Sequence, residues 1–190
     1  MRGVYYVKTK IKARHLLMKT NEKLRKLIFT SLFAALCTVA TMIAFPTGTG
    51  YVNAGDIIIL LGAFTLSPLQ AISAAAIGSA LADLINGYAL YAPGTFVIKA
   101  IMVLCALYLS RGLKKINIPS ALTIMLSAIC GELCMIIGYL IYESSILGYG
   151  YAALSGIPAN VVQGAFGCVG GIALYYILKN TKLTNKLPAF

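Results

Sequence analysis

The sequence carries five acidic side chains, and four of them, Asp56, Asp83, Glu132 and Glu143, fall within or at the ends of long apolar stretches. One base, Lys99, shares that setting. In a membrane span an ionisable group costs at least about 2.5 kcal/mol, so it faces the bundle interior or a cavity and has a partner. Three kinds of chemistry fit such residues: a structural ion pair, a proton relay, or recognition of a polar ligand. Asp83 and Lys99 flank the short segment "NGYALYAP" at comparable depth on two adjoining apolar stretches. They are expected to pair and lock the hairpin, with one of them free to face a ligand as well.

Glu132 and Glu143 are eleven residues apart, which returns to one helix face about 16 Å further along. Tyr139 lies near that face. Asn160 and Gln163 stand at i and i+3 and project together. Amides in such a place either bond another helix or orient a polar ligand. Tyrosines crowd one end of the chain's predicted layout, at 51, 88, 91, 142, 149 and 151. They read either as an interfacial aromatic belt or as a stacking site for a ring. Their company of Asn, Gln, Asp and Glu favours the ring.

Other chemistries lack their parts. The single histidine, His15, lies in a basic tail, and the five cysteines at 37, 105, 130, 134 and 168 form no CxxC pair. No metal site, redox site or cofactor is expected. There is no GxxxxGK[ST] phosphate loop, so no ATPase resides in this chain. Serine–histidine catalysis is unsupported, and the protein is not read as an enzyme.

The elements that must position these residues are membrane helices. The chain is 59% apolar and only 11% charged, against about 25% charged in soluble domains. The net charge of +11 is concentrated: nine of 16 Lys and Arg precede residue 27, three sit at 111–115 and three at 179–186. Clusters of that kind mark cytoplasmic segments and attraction to anionic lipid rather than nucleic-acid binding. Six spans are predicted, at about 27–45, 55–67, 69–86, 93–109, 121–142 and 157–178, with Ser67-Pro68 breaking the second from the third. The result is an all-α bundle of six transmembrane helices with both termini cytoplasmic. Residues 1–26 form a basic cytoplasmic segment, 27–180 the membrane domain and 181–190 a cytoplasmic tail. "TGTGYVNAG" reads as a flexible loop. Small residues recur as Ser31-x-x-x-Ala35 and Gly167-x-x-x-Gly171, a pattern that lets helices approach closely.

Three motifs in order, "GYVNAGD", "GSALADLINGYALYAPGTFVIKA" and "IPANVVQGAFG", resemble the S component of energy-coupling factor (ECF) vitamin transporters, most closely its riboflavin, pyrimidine and pyridine branch. The resemblance spans residues 25–180. It implies a prokaryotic plasma-membrane protein that binds one vitamin or precursor near its outer face. A membrane coupling subunit (T component) and two cytoplasmic ATPases complete the transporter. It also implies that Ser31 and Ala35 dock the coupling subunit, that residues 46–56 cap the site, and that Lys99, Tyr139, Glu143, Asn160 and Gln163 contact ligand. Tyr51, Asn53, Asp56 and Tyr88 join them from the loop and the tyrosine cluster. Pyridoxine or hydroxymethylpyrimidine is the favoured ligand class, with riboflavin next. The reading from another class is a proton-coupled transporter or channel with Asp83, Glu132 and Glu143 as a relay.

Overall fold

The computed structural model describes residues 2–47 and 50–181, with side chains for 21–45 and 52–181. Helix α1 (Arg2–Met42) leads into a hairpin of β1 (Ala44–Thr47) and β2 (Gly50–Asn53). Helices α2 (Gly55–Thr65), α3 (Pro68–Ile85), α4 (Ala92–Lys115) and α5 (Ser120–Ile141) follow. A π turn (Tyr142–Ile146) and a 3-10 turn (Gly150–Gly156) then lead to α6 (Ile157–Asn180). The helices close a ring in which α1 packs on α3, α3 on α4, α4 on α5, α5 on α6, and α6 on α2, which returns to α1.

The boundaries follow local chemistry. Ser67 is extended (φ −65°, ψ 156°), as a residue before proline must be, and Pro68 opens α3. Pro93 and Pro158 likewise sit in the first turns of α4 and α6, where a missing N–H costs nothing. Between α4 and α5, Asn117 takes φ 60°, a left-handed value that asparagine tolerates.

Among the described residues, five helical segments are long and apolar enough to cross a membrane, and α2 is not one of them. Its 11 residues reach about 16 Å, half of a hydrocarbon core of about 30 Å. Nine of those 11 residues are buried, including Leu60 and Leu61, so α2 is the packed centre of the bundle rather than a lipid-facing span. Around it lie Leu66, Met102, Val103, Ala106, Ile124, Ala128 and Met135, all essentially inaccessible.

Two expectations are corrected here. The first apolar helix ends at Met42 rather than Phe45, and the segment read as a flexible loop is an antiparallel hairpin pairing Ala44 with Asn53 and Phe45 with Val52. Glycine and proline content argued for a loop. Pro46 is tolerated because the pair is an isolated two-stranded ribbon.

Candidate ligand-binding site

At the end of the bundle opposite the basic clusters, a cavity of about 180 Å³ opens among Asn53, Tyr88, Tyr91, Thr95, Tyr139, Glu143, Gly156, Ala159, Asn160 and Gln163. Each wall has a local cause. Helix α3 ends in a Schellman motif: Gly87 is left-handed at φ 84°, Tyr88 N–H donates to Asp83 O (2.8 Å) and Gly87 N–H to Leu84 O (3.3 Å). That reversal swings Tyr88 and Tyr91 over the cavity, where their rings meet edge-on at 6.4 Å.

The α5 wall is shaped by its terminus. The π turn brings Leu147 N–H to Tyr142 O at 3.0 Å and Tyr149 N–H to Glu143 O at 3.0 Å, turning Glu143 toward Gly156 and the cavity. A Cβ on Gly156 would stand 3.1 Å from Glu143 Oε2, so glycine leaves the carboxylate its place. Tyr142 donates its hydroxyl proton to Leu90 O (2.6 Å), bracing the α3–α4 loop against α5. Tyr139 and Thr95 share a hydrogen bond of 3.0 Å. Burial first, and the Glu143 carboxylate second, hold the Tyr91 phenol above its ordinary pKa, so its proton stays available for donation.

Below the cavity floor lies a buried network. Lys99 Nζ pairs with Asp56 Oδ1, and both residues are at most 3% exposed. Gln163 Nε2 donates to Asp56 Oδ2 at 2.7 Å, and Gln163 Oε1 accepts from Asn53 Nδ2 at 2.9 Å and Asn53 N–H at 3.3 Å. Asn53 Oδ1 in turn accepts from Gly55 N–H at 2.9 Å, capping the start of α2. Asp56 sits in the first turn of α2, where the helix dipole favours an anion. One connected set of bonds therefore ties the hairpin, α2, α4 and α6 together.

This changes the expected ion pair. Lys99 takes Asp56, not Asp83, as its partner. Depth along the helices placed Asp83 correctly near this layer, where it is 2% exposed and within electrostatic reach of Tyr139. Depth alone could not show that α2 closes the ring between α6 and α1 and puts Asp56 in front of the lysine.

Of the residues expected at a site, Asn53, Tyr88, Tyr139, Glu143, Asn160 and Gln163 line the cavity. Lys99 and Asp56 lie beneath it, with Lys99 Nζ 5.6 Å from the Tyr139 ring centre. The side chain of Tyr51 lies outside the described residues. The paired amides separate in role: Gln163 spends its group on Asp56 and Asn53, whereas Asn160 makes no side-chain hydrogen bond among the described residues and faces the cavity. Thr95 and Ala159 were missed because neither stands out by type, and Tyr91 was grouped only with the tyrosine cluster. Tyr151, from that cluster, is 92% exposed and takes no part.

Glu132 faces α6, packed against Gly164 and Gly167. It is 3% exposed, and neither carboxyl oxygen has a hydrogen-bond partner among the described residues. Ser31 and Ala35 are exposed, and they line a separate groove of about 800 Å³ between α1 and α3.

Comparison with known proteins agrees with this architecture. Residues 21–180 match the family of the ECF-type riboflavin transporter S component. An uncharacterized protein of the gap 3' region of Pyrococcus woesei is 36% identical over 145 residues, covering 75% of this chain and 93% of that protein. The fold is similar to a solved S component of a bacterial ECF transporter, with TM-score 0.69 and 24% identity over 84% of this chain and 98% of the other. The family match runs from the middle of α1 to the end of α6, and the chain belongs to the family of ECF-type riboflavin transporter S components.

Proposed function

We propose that this protein captures one small vitamin or vitamin precursor from outside the cell in the tyrosine-lined cavity and delivers it through an ECF transporter. The observation that carries the reading is the cavity itself: three tyrosine rings, the Asn160 amide and the Glu143 carboxylate converge on one space at the end remote from the basic clusters. Rings offer stacking surface, and the few polar groups fix orientation, which is the usual division of labour in a small-molecule site. The short basic loop between α4 and α5 and the basic chain ends support a cytoplasmic position for the opposite end.

Size bears on the substrate. A cavity of about 180 Å³ is below the range of about 300–1,000 Å³ typical of drug-sized ligands. It suits a single substituted ring, such as pyridoxine or hydroxymethylpyrimidine, better than the three fused rings of riboflavin. The energising step belongs to partners, a coupling subunit and two ATPases. The groove beside Ser31 and Ala35 is the proposed docking face for the first of them, because exposed small side chains there permit close helix approach.

The test is to purify the protein in detergent, denature it and identify any released small molecule by mass spectrometry. A stoichiometric vitamin or precursor upholds the reading. An empty protein that binds no member of a vitamin panel overturns it. For the docking face, Ser31→Leu with Ala35→Leu is expected to abolish co-purification of the coupling subunit while ligand affinity stays the same.

A further inference from the structure

The charge balance around the cavity says more about the ligand than its size does. Asp56, Asp83, Glu132 and Glu143 lie in or under this end of the bundle, and Lys99 is the one basic side chain in the sequence between residues 27 and 110. That lysine is below the floor and its charge is taken by Asp56. Glu143 lines the cavity and makes no ion pair among the described residues. Tyr88, Tyr91 and Tyr139 line the same cavity, with the Tyr142 ring 6.3 Å from that of Tyr91. A carboxylate beside aromatic rings is the arrangement that recognises a positively charged nitrogen. No Lys or Arg lines the cavity among the described residues, and the Lys99 ammonium near the Tyr139 ring is already neutralised by Asp56.

Resting on the S-component reading above, we propose that the cavity selects a single-ring ligand bearing a cationic nitrogen, a protonated amine or a quaternary ring nitrogen, which sits against Glu143 within the Tyr88–Tyr91–Tyr139 cluster. The Asn160 amide meets a polar substituent on the other side of the ring. Phosphate esters are rejected, because they would add negative charge to a site that already holds it and whose lining, among the described residues, includes no basic side chain. Neutral ligands of the same shape bind, but without the charge-assisted bond.

Matched pairs read this directly. The full chain in detergent is titrated calorimetrically with pyridoxamine and pyridoxine, with the aminomethyl and hydroxymethyl forms of 4-amino-2-methylpyrimidine, and with riboflavin. Each pair differs in a cationic amine against a neutral hydroxyl on one ring. The expected result is that the amine of at least one pair binds about 10- to 100-fold more tightly than its alcohol, the range of a charge-assisted hydrogen bond. Glu143→Gln is expected to collapse that ratio toward one. The wild-type ratio stands as a result by itself if the variant fails to fold.

If an alcohol or riboflavin binds as tightly as the amines, or if Glu143→Gln leaves the ratio intact, the cationic assignment is wrong while the vitamin-binding reading survives. A protein that binds none of the five but co-purifies with a neutral or anionic compound likewise overturns the cationic assignment alone. One that binds none and carries nothing overturns both.

Discussion

The two ends of the bundle handle charge in opposite ways. At the basic end, Lys26 and Glu22 pair at 2.8 Å one helical turn apart, with side chains 46% and 64% exposed, and such a pair contributes at most about 1 kcal/mol. At the pocket end, Lys99 and Asp56 are shut away from solvent and joined through Gln163 and Asn53 to two other segments, α6 and the hairpin. The first kind of charge is optional for the fold. The second is a commitment, since every member was desolvated to reach its place and loses its compensation if one is removed.

The largest effect that separates these regions comes from Lys99→Met. It leaves Asp56 buried without its counter-charge, and a loss of about 3–5 kcal/mol is expected, read as a lowered unfolding midpoint in detergent. Adding Asp56→Asn should recover most of it, because position 56 then holds no uncompensated charge. Lys26→Met, by contrast, should shift the midpoint by no more than the scatter between preparations. Equal shifts for Lys26→Met and Lys99→Met would mean that the network carries no special weight.

Next in size is Gly167→Val on α6. A Cβ there would meet Glu132 Oε1 and stand 2.8 Å from Asp56 Cβ, so larger branches drive α6 away from α2 and α5. Overpacking of this kind costs about 1–3 kcal/mol. Gly170 and Gly171 sit equally close to Ile57 and Leu60 of α2, and this row of glycines is what lets α6 lie against the short central helix. A midpoint unchanged in Gly167→Val would show that α6 is free to shift.

These cases also mark what could be read from the sequence. The six helices and the break at Ser67-Pro68 were legible because hydropathy and proline act locally. Helical spacing also set Asn160 and Gln163 side by side, whereas their grouping with Tyr139 and Glu143 across two helices came from the family resemblance and not from spacing. The partner of Lys99 was not legible, because it depends on how α2 packs between α6 and α1 and against α4, a fact of packing rather than of spacing. The hairpin was hidden for a different reason: its ladder of hydrogen bonds is made by backbone groups that every residue has, while its glycines and proline advertise a loop. Asn160 and Gln163 were indistinguishable as a pair, and only the position of Asp56 assigns one to the framework and the other to the cavity.

That division gives a prediction of intermediate size. Asn160→Ala should weaken binding of the proposed amine ligand by about tenfold, the loss of one good hydrogen bond, with little change in unfolding midpoint. Gln163→Ala should do the reverse first: it leaves Asp56 Oδ2 and Asn53 without their bonds, at a cost of about 1–3 kcal/mol in stability, and affinity falls as the floor loosens. Finding the stability loss in Asn160→Ala and only an affinity loss in Gln163→Ala would exchange their roles.

The smallest effects set two glycines of α4 against each other, one at each end of the bundle. Gly112, near the basic end, is exposed, and a Cβ there meets nothing within 4 Å. Glycine within a helix is less favourable than alanine by about 0.5–1 kcal/mol, so Gly112→Ala should raise the unfolding midpoint slightly and leave binding alone. Gly94, at the pocket end, is buried, and its Cβ would stand 2.5 Å from the Tyr142 ring. The helix propensity gain is the same, but the ring cannot retreat without giving up its 2.6 Å bond to Leu90 O, worth about 1 kcal/mol. Gly94→Ala is therefore expected to be neutral to destabilising, and to weaken ligand binding by moving Tyr142 against Tyr91. The same substitution in the same helix thus changes sign with position, because at one end the chain only has to be a helix and at the other it also has to hold a tyrosine ring in place.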